Sequence, residues 1–179
     1  GISVGPDGGT HQAVEDMAIM RVIPRMTVIS PCDAIEAKKA TLAAAKMMGP
    51  VYIRLAREKT PIMTTIDTPF EIGKAQIFFA PEGKIDVGII ATGALVYKAI
   101  KVAQVLGSEG IGVKVLNLAT IKPLDEESIV ALAKEAGSIV TVEEHQVRAG
   151  MGSAVAECLA KNYPVQQEFI GVNDQFGQS

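Results

Sequence analysis

The chain has 179 residues, of which 48% are hydrophobic, 4% are aromatic and none is tryptophan, and it carries a formal net charge of −3. That is apolar material enough for one generous domain or two small ones, and the abundance of small aliphatic residues suits parallel sheets covered by closely packed helices. The acidic balance and the lack of a long Lys/Arg run exclude a nucleic-acid partner, and no apolar run reaches the roughly 18 residues that span a bilayer, so a cytoplasmic setting is expected.

The first dozen residues, Gly1-Ile2-Ser3-Val4-Gly5-Pro6-Asp7-Gly8-Gly9-Thr10-His11-Gln12, form a shaped loop. Glycine loses too much entropy, and proline lacks the donor, for this stretch to be a helix interior or a central strand. Helical spacing follows in Ala13, Val14, Met17, Ala18 and Met20-Arg21, and Pro24 ends it. Met26–Ser30 reads as a short buried strand. Asp33, with Glu36 three residues on, is an acidic relative of the capping box, and it opens an alanine-rich helix predicted over Ala34–Met48. Val51–Leu55 is the next strand, with Arg54 as its polar side chain and Arg57 just beyond its carboxyl end.

Glu58–Pro69 mixes Thr, Pro and charge and reads as a linker. Beyond it, Phe70–Phe79 holds one strand or a bent pair, and Asp86–Ala91 is another strand. A helix follows with Leu95, Ala99, Val102 and Leu106 on one stripe, terminated by Gly107 to Gly110. Val113–Leu118 is a strand, Asp125 caps a helix carrying Ile129, Leu132, Ala133 and Ala136, and Gly137 closes it. Ser138–Val142 is a strand, Met151, Val155, Cys158 and Leu159 line a last helix, and Val165–Val172 is a final strand. Strand and helix alternating at this spacing imply a mainly parallel, right-handed α/β sheet. Cys32 and Cys158 lack metal-ligand companions and read as reduced, packed thiols.

Three constellations have chemical potential. Asp7 and His11 set a carboxylate and an imidazole on one loop, a pair able to bind hydroxyls and move protons near neutral pH, or else to cap the next helix. Arg54 and Arg57 sit at the end of a strand, where α/β proteins bind ligands and where a guanidinium fork matches a phosphate; Arg57 is the better candidate, and Arg54 can instead pair with an acid such as Glu58. Glu143-Glu144-His145, leading through Arg148 to Gly150-Met151-Gly152, reads as a structural or interface element, because no second histidine completes a metal set. The glycines there fall short of the dinucleotide fingerprint, and the phosphate-binding P-loop pattern is absent.

Taken together, Gly5-Pro6-Asp7-Gly8-Gly9-Thr10-His11-Gln12, Glu15-Asp16, Met20-Arg21-Val22-Ile23-Pro24 and Pro31-Cys32-Asp33-Ala34 resemble the transketolase family. Pro50 to Arg57, Ile121-Lys122-Pro123-Leu124-Asp125 and Val142 to His145 with Gly150 and Gly152 continue the resemblance, which is nearest to the C-terminal subunit of a split transketolase. The chain departs from the family pattern at Pro6 and Gly9, which changes the stiffness of the loop.

The resemblance implies residues 1–59 as the C-terminal part of a pyrimidine-binding domain with a partial parallel sheet, 60–69 as a linker, and 70–179 as a compact three-layer α/β/α C-terminal domain. It implies a thiamine diphosphate enzyme that moves a two-carbon ketol unit between sugar phosphates, with a divalent cation such as Mg2+. His11 would bind the hydroxyls of the transferred unit and shuttle protons, Asp7 would read hydroxyl stereochemistry, and Arg57 would hold the terminal phosphate. The glutamate that activates the cofactor and the Gly-Asp-Gly motif that holds metal and diphosphate belong to segments outside these residues. The expectation is therefore a piece of a longer polypeptide, inactive without its N-terminal half or subunit, in a homodimer or heterotetramer. The alternatives are a deoxyxylulose-phosphate synthase, a 2-oxo acid dehydrogenase β-subunit relative, or a non-catalytic dimerisation module.

Overall fold

A computed structural model describes residues 1–178 of the chain. After the opening loop, helix α1 covers Asp16–Val22, strand β1 Thr27–Ile29, helix α2 Ala34–Ala44 and strand β2 Val51–Ile53. Helix α2 stops well short of Met48. Alanine propensity alone does not hold a helix end that packs on nothing, and Met48 is 99% exposed.

At the start of α2 the Asp33 carboxylate accepts the N–H of Glu36 at 2.8 Å, as the capping pattern predicts, and it also accepts the N–H groups of Met63 and Thr64 at 2.7 Å each. One buried acid thus caps the helix and pins the connecting segment. The buried Glu36 reaches back to the Cys32 N–H at 2.6 Å and takes a second bond from the Asn117 amide at 2.8 Å.

The second part of the chain supplies β3 Gln76–Phe79, β4 Val87–Ala91, α3 Leu95–Ser108, β5 Val113–Asn117, β6 Thr120–Lys122, α4 Glu126–Ala136, β7 Ser138–Gln146, α5 Met151–Asn162 and β8 Gln166–Val172. Five strands form a sheet in the order β3-β5-β4-β7-β8, parallel except for β3. Successive residues of a strand face opposite sides, so Ile89 and Ala91 meet Val96, Ala99 and Ala103 of α3, while Ile90 meets Leu132 of α4 and Val155 of α5. The result is a three-layer α/β/α sandwich. The expected stripe on α3 is rotated: Val96, Ala99 and Ala103 point inward and Val102 is 48% exposed. That helix is apolar most of the way round, so periodicity alone allows either face.

Strand β6 has no counterpart in the sequence reading. It pairs antiparallel with β1, giving a three-stranded sheet in the order β2-β1-β6 in which β1 and β2 are parallel. The core on the α4/α5 side then continues through Met17, Val28, Leu118 and Ile121 without a break. The carboxyl ends of the two sheets consequently abut. Ser30 accepts the Gly93 N–H and the Thr92 hydroxyl at 3.2 Å each, and its own N–H donates to Ala119 at 2.7 Å. Gly93 has φ +60°, and a Cβ there would sit 2.8 Å from Ser30 Oγ. Among the described residues no helix is long and apolar enough to cross a membrane, and both cysteines are free and buried.

Burial works to raise the Asp33 carboxyl, but the donors on Glu36, Thr64 and Met63 outweigh it and hold the group below its ordinary range. A depressed acid stabilises the fold above its unfolded value, and that contribution vanishes as pH falls through the folded value. Asp33→Asn should therefore cost about 1–3 kcal/mol in urea unfolding at pH 7, with the difference from wild type shrinking as the pH is taken below about 4.

Candidate active site

The glycine-rich loop lies against the segment that leaves β2. The backbone N–H groups of Arg57 and Glu58 both donate to the Ser3 carbonyl at 3.2 Å, and Gly5, in the left-handed region at φ +80°, faces the Glu58 carboxylate. This contact brings two of the three sequence candidates together: the Asp7 carboxylate and the Arg57 guanidinium form an ion pair. The pair faces solvent, with the Arg57 side chain 66% exposed and that of Asp7 23%. His11 ends a single 3-10 turn, Gly9–His11, on the same loop. Its Nδ1 lies 3.0 Å from Thr10 Oγ1, its ring is exposed, and among the described residues no hydrogen bond joins it to Asp7 or Arg57.

Between the abutting strand ends lies a cavity of about 40 Å³, lined by residues that include Ser3, Ser30, Arg54, Gly93 and Glu144. It is far too small for a sugar phosphate, and Asp7, His11 and Arg57 do not line it.

Arg54 does not pair with Glu58. Its Nε lies 2.9 Å from Asp16 Oδ2, and its Nη2 donates to Asp16 Oδ1 at 3.0 Å and to the Ala13 carbonyl at 3.1 Å. Its Nη1 donates to the Glu144 carbonyl at 2.7 Å. Tyr52 donates its hydroxyl to Asp16 Oδ2 at 2.7 Å, and Glu144 Oε1 accepts the Ile2 N–H at 2.9 Å. Burial would raise the Asp16 carboxyl, yet the Arg54 charge and the Tyr52 hydrogen bond hold it below its usual range. Burial and the Asp16 carboxylate push the Tyr52 phenol up to about 12. The sequence reading missed Asp16, Tyr52 and Glu144 as a set. The available signal was an arginine within a strand pattern, which needs an acid wherever the strand is covered.

Glu143, Glu144 and His145 lie on β7, which runs past the predicted end at Val142. Their burial alternates, as in any strand. Glu143 is buried and accepts the N–H groups of Met151 and Gly152, at 2.7 and 2.8 Å, from the start of α5. Burial nevertheless raises its carboxyl, against the pull of those two donors and of Arg54. His145 is fully buried, with Nε2 accepting the Ala18 N–H at 3.3 Å, so its proton sits on Nδ1, which donates to the Gln146 carbonyl at 2.8 Å. A Cβ on Gly152 would lie 2.7 Å from Thr141 Oγ1, so that glycine serves close packing. Among the described residues no group of three His, Cys, Asp or Glu side chains is placed to hold a metal ion.

Residues 1–63 match the family model of the transketolase pyrimidine-binding domain, and residues 75–178 match that of the transketolase C-terminal domain. The chain belongs to the transketolase family. It is 43% identical over 178 residues to the 6-deoxy-6-sulfo-D-fructose transketolase subunit SqwH of Clostridium sp. (strain MSTE9), covering 99% of this chain and 54% of that protein. It is 43% identical over 182 residues to a putative transketolase C-terminal section of Methanocaldococcus jannaschii, covering 100% of this chain and 56% of that protein. The chain thus spans about half the length of these relatives. A solved structure titled as a split gene transketolase, inactive beta4 tetramer, superposes with a TM-score of 0.89 at 43% identity, over 95% of this chain and 56% of that one.

Removing the Glu143 carboxylate leaves two buried N–H groups at the start of α5 without an acceptor. Glu143→Ala should cost about 2–4 kcal/mol in denaturant unfolding, a loss larger than that of a typical exposed substitution.

Proposed function

We propose that this chain is the C-terminal portion of a transketolase, a transferase that moves a two-carbon ketol unit from a ketose phosphate to an aldose phosphate. The observation that carries this reading is the docking of the glycine-rich loop on the end of β2, which sets Asp7 against Arg57 where both face solvent. A phosphorylated sugar presents a dianion at one end and hydroxyls along its length, and these side chains match both. Arg57 offers a planar fork of donors to the phosphate. Asp7 accepts from sugar hydroxyls and so discriminates their configuration. His11, exposed on the loop, hydrogen-bonds the hydroxyls of the transferred unit and exchanges protons with them.

Thiamine diphosphate, on which transketolases in general depend, supplies the carbanion chemistry when bound. The activating glutamate and the Gly-Asp-Gly motif that the family resemblance calls for are not among the residues of this sequence, so the cofactor and its divalent cation are assigned mainly to other polypeptide. The partner on this reading is an N-terminal transketolase half or subunit in a homodimer or heterotetramer. Charged sugar phosphates do not cross membranes unaided, which supports a cytoplasmic setting. Residues 1–59, 60–69 and 70–179 serve as pyrimidine-binding part, linker and C-terminal domain.

In the assembled enzyme, His11→Ala should lower ketol transfer between pentose phosphates about 10²-fold or more. Arg57→Ala should raise KM for the phosphorylated donor while leaving an unphosphorylated ketose unaffected. Unchanged turnover in His11→Ala would favour the association-module reading. Condensation of pyruvate with glyceraldehyde phosphate, without ketol transfer, would favour the synthase.

A further inference from the structure

We infer that Arg54 is the positioning residue of the glycine-rich loop, fastening its entry and its exit to one guanidinium; the catalytic side of this inference rests on the function proposed above. No residue from 1 to 13 is buried. The loop therefore has no apolar side chain anchored in a core, and its place is set by polar contacts alone. Inside it, local turns shape the loop, through the Asp7 N–H to Gly5 at 2.7 Å and the His11 N–H to Gly8 at 2.9 Å, while the Arg57 and Glu58 N–H groups hold the Ser3 carbonyl and Arg57 pairs with Asp7. Those contacts hold the middle of the loop and leave its two ends to be fixed separately.

The two ends are fixed by the cluster beneath them. At the exit, Arg54 Nη2 holds the Ala13 carbonyl at 3.1 Å. At the entry, Glu144 holds the Ile2 N–H at 2.9 Å, and the carbonyl of that same Glu144 is held by Arg54 Nη1 at 2.7 Å. Asp16, braced by the Tyr52 hydroxyl, takes the remaining face of the guanidinium and fixes its plane. A lysine could satisfy one of these points, because it is a compact charge without a planar fork. The geometry also explains the spacing of the two arginines. Arg54 turns inward and sets the base of the loop, and Arg57, three residues further along, meets the loop at Asp7. One strand end thus fixes both halves of the proposed substrate site.

The test compares Arg54→Lys, Asp16→Asn and Tyr52→Phe with wild type in the intact protein assembled with its partner. Hydrogen exchange of the amides of residues 2–13 should speed up roughly tenfold or more in Arg54→Lys and Asp16→Asn, with the amides of β4 unchanged. The same two variants should lose ketol transfer mainly in kcat, by about 10- to 100-fold, with a smaller change in donor KM. Tyr52→Phe keeps the guanidinium and should show a weaker version of both effects, which preserves the test if Arg54→Lys does not fold. Loop exchange that stays at the wild-type rate in Asp16→Asn and Tyr52→Phe overturns the inference, as does a loosened loop with unaltered kcat. Exchange is read without substrate, so loosening of the loop in an assembly that transfers no ketol unit would support the clamp and count against the proposed function alone.

Discussion

The two sheets meet carboxyl end to carboxyl end, and the support of the candidate loop by Glu144 follows from that meeting. It is made at close quarters, by Ser30 accepting from Thr92 and Gly93, and a side chain at position 93 would be strained, at φ +60° and with its Cβ 2.8 Å from Ser30 Oγ. Parallel strands present ligand sites at their carboxyl ends, because the loops there are free to diverge. With two such ends face to face, the loops of one sheet are supported by residues of the other. That is how Glu144, on β7, comes to hold the entry of a loop whose exit is tied to Arg54 beside β2.

The junction is glued by oil at its flank and keyed by polar groups at its centre. Met17, Val28, Leu118 and Ile121 extend the core of the larger sheet into the smaller one, and burial of that kind contributes most of the adhesion. Non-directional burial cannot fix register. The buried polar pairs can: Asn117 of β5 donates to Glu36 of α2 at 2.8 Å, and His145 of β7 accepts from Ala18 of α1 at 3.3 Å. Each bond joins one sheet's territory to the other's, and each would be left unmade by a small slip, at a cost set by desolvation. Burial raises the Glu36 carboxyl even though the Cys32 and Asn117 donors favour its charge, a sign of how dry this seam is.

The sequence was most legible where local chemistry decides the outcome. Asp33 and Asp125 cap their helices through the Glu36 and Ser128 N–H groups, and Gly137 ends α4 in the left-handed region at φ +72°. It was least legible where a partner far along the chain supplies the reason. Three residues, Thr120–Lys122, carry no strand pattern of their own and become a strand because β1 offers an open edge. Glu143 and His145 read as a polar element after a strand, yet they are buried within it, since their partners lie on α5 and α1. The site shows the same division. The meeting of Asp7 with Arg57 depends on residues 50 apart, and the clustering of Arg54 with Asp16 and Glu144 spans 38 and 90.

The composition of the loop now has a physical account that goes beyond flexibility. Gly5 takes the left-handed region at φ +80°, and Gly9 faces the backbone of Gly177, where a methyl group would overlap its neighbour. That contact matters because Gly177 lies in the segment after β8, which Gln146 straps down by donating to the Gln175 carbonyl at 2.7 Å and accepting the Asp174 N–H at 2.9 Å. The backbone N–H of Gln146 also donates to the Val14 carbonyl at 2.7 Å. A loop without a buried side chain is thus held from below by a guanidinium and pressed from the side by another length of backbone. Glycine is what lets backbone approach backbone that closely, so the residues that make this loop look soft in sequence are those that allow it to be held firmly in the fold.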